Sequence, residues 1–203
     1  MRTATLARGC LAGLMILSSF AVAAIQDPQQ MVRETGEKVL AEVTERKAEL
    51  EANPRLVYPL VEKTVLPHFD FRKMSQSAMG RYWRQASDAQ KEDVTREFRE
   101  LLVRTYATAL LGYSGQEIQY LPFQFPQGAT QVTIPTRIEA MDAPPIPINY
   151  RLKLGDDGHW RVYDVVIDGV SLITNYRSQF STLVRRNGGI DGLINTLASK
   201  NRE

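Results

Sequence analysis

At 203 residues, about 43% apolar and 24% charged, the chain suits one soluble globular domain with a full-sized core, and a disordered or fibrous class is excluded. Its formal charge is only +2 and its one cysteine is Cys10, so neither a strongly basic nucleic-acid binder nor a disulfide scaffold is indicated. Both features sit in the first residues, which read as a targeting segment.

Arg2 and Arg8 precede an apolar run, Leu11 to Val22, that is too short to span a bilayer, and Ala21-Val22-Ala23 has the small-x-small form of a cleavage site. Residues 1–23 are therefore expected to be a signal peptide, with cleavage after Ala23 or Ala24, and residues 24–203 a single exported domain. Removal takes the Lys and Arg count from 25 to 23, equal to the 23 Asp and Glu, so the mature charge is about zero. Cys10 leaves with it, which excludes disulfides, thiol catalysis and cysteine-ligated metal. A lipid anchor on Cys10 fails because that residue precedes the apolar run. Stability then rests on packing alone.

Asp27 and Pro28 form a helix start, N-cap followed by N1, and Val32, Gly36, Val39, Val43 and Leu50 follow roughly on one stripe. Asn53-Pro54 repeats the signal for a second helix with Leu56, Val57, Leu60, Val61 and Val65, which Pro67 ends. Residues 69–87 read as a short, irregular helical segment around Gly80. Ser87-Asp88-Ala89-Gln90 is a capping box, and the longest helix is predicted from there to Leu111, roughly 35 Å at ~1.5 Å per residue. Val94, Phe98, Leu101, Leu102, Tyr106, Ala109 and Leu110 mark its buried stripe, and Glu92–Arg96 and Glu100–Arg104 are i,i+4 pairs on the wet face.

From Gln116 the period drops from 3.6 to 2. Ile118 and Tyr120 suggest one strand; Val132, Ile134, Thr136 and Ile138 a second, with Pro135 at an edge or bulge. After Ala143-Pro144-Pro145, the residues Ile146, Ile148, Tyr150, Leu152 and Leu154 alternate with polar partners in a third, and Asp157-Gly158 turns into a fourth. That fourth strand, Trp160 to Ile167, is apolar on both faces, as expected for a strand covered on two sides. A helix carrying Val170, Leu172, Ile173, Tyr176 and Phe180 follows Asp168-Gly169. It stops near Asn187-Gly188-Gly189, and a last short helix can bury Ile190, Leu193, Ile194 and Leu197. The expectation is an α+β domain: a curved four-stranded antiparallel sheet covered by helices, enclosing either a core or a cavity.

Catalytic and metal signatures are sparse. His68 and His159 have no partners at zinc-like spacing, and no phosphate-binding glycine loop or nucleophile elbow is present. No metal or cofactor is expected. Gly169-Val170-Ser171-Leu172 lacks the second glycine of such an elbow, and Ser171 reads as a cap or packed residue. Asp164 and Asp168 admit two readings. In one, Asp164 is a general base with a cavity tyrosine, Tyr106 or Tyr150, on an NTF2-like cone-shaped α+β fold. In the other, Asp168 caps the next helix and Asp164 pairs with Arg81, Arg84 or Arg177.

Three blocks carry a resemblance: MGRYWRQASDAQ at 79–90, EFRELLVRTYATAL at 97–110 and VYDVVIDGVSLITNYRSQF at 162–180. In these, and in the register from Asn53-Pro54 to Gly189-Ile190-Asp191-Gly192-Leu193, the chain resembles the MlaC, or toluene-tolerance, family of periplasmic phospholipid-binding proteins. The resemblance implies an apolar interior that holds phospholipid acyl chains with the headgroup toward solvent. It also implies partners: an inner-membrane Mla ABC transporter complex and an outer-membrane Mla lipoprotein–porin complex, between which a periplasmic monomer shuttles lipid to maintain outer-membrane lipid asymmetry.

On that reading the long helix turns Phe98, Leu102, Tyr106 and Leu110 toward the lipid. The sheet contributes Ile134, Ile148, Tyr150 and Leu152, and Val165, Ile167, Val170 and Ile173 close the cavity. Each is equally an ordinary core position in periodicity alone. An apolar groove for a partner peptide is the other non-enzymatic reading, and Arg72-Lys73 and Arg185-Arg186 are candidate docking cations.

Overall fold

The computed structural model describes residues 26–140 and 143–202. The expected signal peptide, residues 1–23, and with it Cys10, lies outside the described residues. Asp27 caps α1 (Pro28–Glu45) by accepting from the amides of Gln29 and Gln30 at 2.7 and 3.0 Å. The stripe read to Leu50 is interrupted at Arg46, after which α2 (Lys47–Ala52) resumes. Asn53-Pro54 starts a single 3₁₀ turn before α3 (Val57–Thr64). Helix α4 (Phe71–Met79) is capped by Asp70, whose carboxylate accepts from the Lys73 amide.

The capping box opens α5 (Asp88–Ala107) as read, with Ser87 and Gln90 satisfying each other's backbone N–H groups. The α-helix ends four residues short of Leu111, and residues Thr108–Gly112 continue as a tighter 3₁₀ turn. Glu100 pairs with Arg104, but Glu92 faces Arg72, and Arg96 takes Asp93 and Glu97.

The sheet is an antiparallel meander of five strands, not four: β1 (Glu117–Tyr120), β2 (Gln131–Ala140), β3 (Ala143–Leu154), β4 (Trp160–Ile167) and β5 (Val170–Ser171). Pro135 sits just beyond the last β1 pair, Tyr120 with Thr136, where its missing N–H deprives no ladder partner. The fifth strand exists because Asp168 and Gly169 both adopt positive φ, 48° and 77°, which turns β4 back on itself in a tight hairpin. Asp168 is thus a turn residue and not the helix cap. That role falls to Ser171, whose hydroxyl accepts from the Thr174 amide at the start of α6 (Leu172–Arg186).

A bulge decides which face of β4 looks inward. Arg151 pairs with Asp164 but Leu152 pairs with Val162, so Tyr163 is the extra residue. Before it Trp160 and Val162 share the inner face; after it Val165 and Ile167 do, opposite Tyr150 and Ile148. Asp164 is thereby sent to the other face. The Val162 carbonyl at the bulge accepts from the Asp70 amide, tying the entrance of α4 to the sheet.

Three apolar clusters build the domain. Phe98 packs edge-on against Tyr176 and Phe180, each at 4.9 Å between centroids, among α4, α5, α6 and α7 (Gly189–Lys200). Helix α7 crosses the end of α6 so closely that a β-carbon on Gly192 would lie 1.6 Å from the Asn187 carbonyl oxygen. A second cluster joins Met31 and Val32 of α1 to Ile134, Leu152 and Trp160 of the sheet, and a third joins α1, α2, α3 and α5 through Val39, Leu50, Val57 and Val103.

Candidate functional site

The three clusters do not close on one another, and between them lies a cavity of about 560 Å³, inside the ~300–1,000 Å³ range of small-molecule sites. Each cluster gives it a wall. Helix α1 contributes Met31, Thr35 and Leu40, α3 contributes Val61, and α5 with its 3₁₀ extension contributes Leu102, Tyr106 and Leu110. The floor is the inner face of the sheet, from Ile118 and Ile138 through Ile148 and Tyr150 to Val165 and Ile167. The described lining contains no Asp, Glu, Lys or Arg; its polar groups are Thr35, His68, Gln116 and the phenols of Tyr106, Tyr113, Tyr120 and Tyr150.

Electrostatics reinforce that character. Burial pushes the Tyr150 phenol up to about 12, with a smaller effect from Tyr120, so it stays neutral at ordinary pH. Burial also lowers the pKa of His68, helped by the charge of Lys38, and so favours its uncharged form. One wall contact is unusually close: Tyr120 Oη lies 2.8 Å from where a β-carbon on Gly36 would be, under the Arg33 guanidinium 4.1 Å from the Tyr120 ring centroid. Glycine at 36 lets β1 and α1 meet there.

Of the twelve residues selected from sequence, the structure brings Leu102, Tyr106, Leu110, Ile148, Tyr150, Val165 and Ile167 together on the cavity wall. The other five lie elsewhere. Phe98 and Ile173 are buried in the helical cluster, because α5 and α6 are already in contact at that level. Ile134 and Leu152 are on the correct sheet face but 0% exposed, sealed under α1 next to Trp160. Val170 is 58% exposed at the β4–β5 turn. Missing from the sequence selection were the α1 and α3 walls and Phe69 and Phe71; α1's stripe was legible, but only tertiary packing shows that part of it faces empty space.

The acid–base reading does not assemble. Tyr106 and Tyr150 line the cavity, whereas Asp164 lies on the opposite sheet face, 3% exposed. Its carboxylate accepts from Arg151 Nη1 at 3.0 Å, Ser171 Oγ at 2.7 Å and the Ile173 amide at 3.1 Å. The arginine is the cross-strand neighbour, not Arg81, Arg84 or Arg177, because the bulge sets Asp164 opposite Arg151. Asp164 therefore anchors the start of α6. Among the described residues there is no group of three or more His, Cys, Asp or Glu able to hold a metal, and no helix long and apolar enough to cross a membrane.

A family model described as MlaC protein matches residues 33–199. The chain belongs to the MlaC family. It is 28% identical to the toluene tolerance protein ttg2D of Pseudomonas putida, over 95% of this chain and 91% of that one. It is 25% identical to the intermembrane phospholipid transport system binding protein MlaC of Haemophilus influenzae, over 82% and 78%. Among solved structures, a phospholipid-binding protein from Ralstonia solanacearum in complex with a phospholipid superimposes with a TM-score of 0.80 at 32% identity, covering 87% of this chain and 98% of that one. The MlaC blocks read in the sequence supply Met79 at the end of α4 and the 3₁₀ segment after it, most of α5, and β4 from Val162 through α6 as far as Phe180.

Proposed function

We propose that this MlaC-family protein is a phospholipid carrier and not an enzyme. The cavity holds acyl chains and the headgroup stays at its mouth. The observation that carries this reading is a roughly 560 Å³ space whose described lining holds no charged side chain, in a fold shared with a phospholipid-bound protein. Transfer of each methylene from water to such a wall is favourable by about 0.8 kcal/mol, so fatty chains need no covalent chemistry to be held. In the finer reading it is a periplasmic shuttle between an outer-membrane lipoprotein–porin complex and an inner-membrane ABC transporter, serving outer-membrane lipid asymmetry; one relative's name, an intermembrane phospholipid transport system binding protein, supports the intermembrane part of it.

Organic extraction of freshly purified protein followed by mass spectrometry tests it. Phospholipid in stoichiometric amount is expected. A fully folded protein that yields none overturns the carrier reading and favours a groove for a partner peptide.

A further inference from the structure

A second concavity, of about 500 Å³, shares no lining residue with the first. Lys73, Arg81, Arg84 and Arg177 line it with the hydroxyls of Ser77, Tyr82 and Ser181, and no carboxylate is among its described lining residues. The fold assembles it from two elements. Gly80, at φ 56°, turns the end of α4 into the 3₁₀ segment Gly80–Arg84, which places Arg81 and Arg84 beside α6. Arg177 of α6 reaches across and donates from Nε to the Ser77 carbonyl at 2.9 Å, and that nitrogen lies 3.3 Å from where a β-carbon on Gly80 would be. Helix α4 thus has two faces: Phe71 and Met74 look into the apolar cavity, Lys73 and Ser77 into this one.

The hollow gathers cations without carboxylate partners; Arg55, Arg185, Arg186 and Arg202 also lack one among the described residues, but do not line it. Across the described surface, arginines such as Arg72, Arg96, Arg99, Arg104 and Arg161 each face a carboxylate. Among the described residues, none of Lys73, Arg81, Arg84 and Arg177 does. Arg81 instead donates to the Tyr82 hydroxyl at 2.9 Å, and this bond, with smaller contributions from Ser181 and Arg185, lowers the Tyr82 phenol's pKa. Four like charges gathered in one hollow of a chain whose mature charge is about zero repel one another, and an anion relieves that repulsion. Guanidinium forks beside hydroxyl donors match the oxygens of a phosphate group.

We propose that this hollow is a second binding site, for a phosphate-class oxyanion, borne either by a free small molecule or by the headgroup of an anionic bilayer. It stands whether or not the apolar cavity carries lipid. The test uses the mature protein with inorganic pyrophosphate in titration calorimetry at low salt, and co-sedimentation with vesicles of phosphatidylglycerol or phosphatidylcholine.

Saturable binding is expected, weakened about tenfold by Arg84→Gln or Arg177→Gln, in line with loss of one charge-assisted contact. It should be unchanged by Arg72→Gln and reduced by added salt. Arg84 is exposed and its side chain makes no hydrogen bond among the described residues, so its variant keeps the test valid if Arg177→Gln misfolds. Pyrophosphate binding identifies a free ligand; selective sedimentation with phosphatidylglycerol that Arg84→Gln abolishes identifies the membrane source. Failure of both probes, or binding indifferent to both variants, overturns the proposal, even if an acidic protein surface still docks there.

Discussion

The inner face of the sheet meets two different fates along the same strands. At one end Ile134 and Leu152 are 0% exposed, closed over by Met31 and Val32 of α1 and flanked by Trp160. At the other, Ile148, Tyr150 and Ile167 on the same face keep surface turned to the cavity. Helix α5 repeats the pattern: Phe98 is 0% exposed and Tyr106, eight residues or ~12 Å further along, is 36% exposed. Residue type does not separate the two ends. What separates them is whether the opposing layer touches or stands off, and that is a property of helix placement.

The largest expected effect contrasts the two ends of α5. Phe98→Ala removes a ring packed on Tyr176 and Phe180 and should destabilise lipid-free protein by about 3–5 kcal/mol. Tyr106→Ala, whose ring faces the cavity, should cost under ~1 kcal/mol, within the range of changes outside a packed core. Urea unfolding of both variants measures the difference, and equal losses would mean the cavity is ordinary core.

Next in size is Asp164→Ala, which leaves the Ile173 amide without its acceptor and is expected to cost about 1–3 kcal/mol. Because Asp164 sits on the far sheet face, bound phospholipid per folded molecule should not change, and lipid quantification on the variant checks that.

A third contrast is in pH. Folded Tyr150 and Tyr176 hold their protons to about 12, mainly through burial, while an unfolded chain releases them near 10. Between those values the unfolded state binds fewer protons, so this contribution to stability is complete below pH 10 and is lost as pH rises toward 12. Tyr150→Phe should flatten the alkaline decline measured by thermal unfolding.

The smallest effect is expected at the α1–β1 contact. Gly36→Ala gains helix propensity of about 1 kcal/mol but pushes against Tyr120 Oη. A net loss of ~1 kcal/mol in Tm-derived stability is expected, and reversal by Tyr120→Phe, which removes that oxygen, would identify the clash.

Local signals carried most of the fold. Asp27-Pro28, the Ser87–Gln90 box, Asp157-Gly158 and the change of period at Gln116 each act within a few residues, and each appears where it was read. The fifth strand was missed because Asp168-Gly169 was read as the bend into a helix. Its two positive φ values make it a hairpin and move the cap to Ser171. The facing of Asp164 was not legible, since one bulged residue, Tyr163, reverses the alternation of β4. For the site, periodicity distinguished inward from outward but not touching from apart. That is why Ile134, Leu152, Phe98 and Ile173 were grouped with residues that border empty space. Val170 has a simpler cause: it precedes the helix it was assigned to and sits at the exposed turn.

Filling the space beside Ile148 separates a lipid site from merely loose packing. In Ile148→Trp the added rings project from the cavity floor, so the delipidated fold should keep its Tm within the range of the parent while extracted phospholipid per mole of protein falls severalfold. If the variant is destabilised by the ~1–3 kcal/mol of an overpacked core and still carries a full complement of phospholipid, the cavity is not the lipid site.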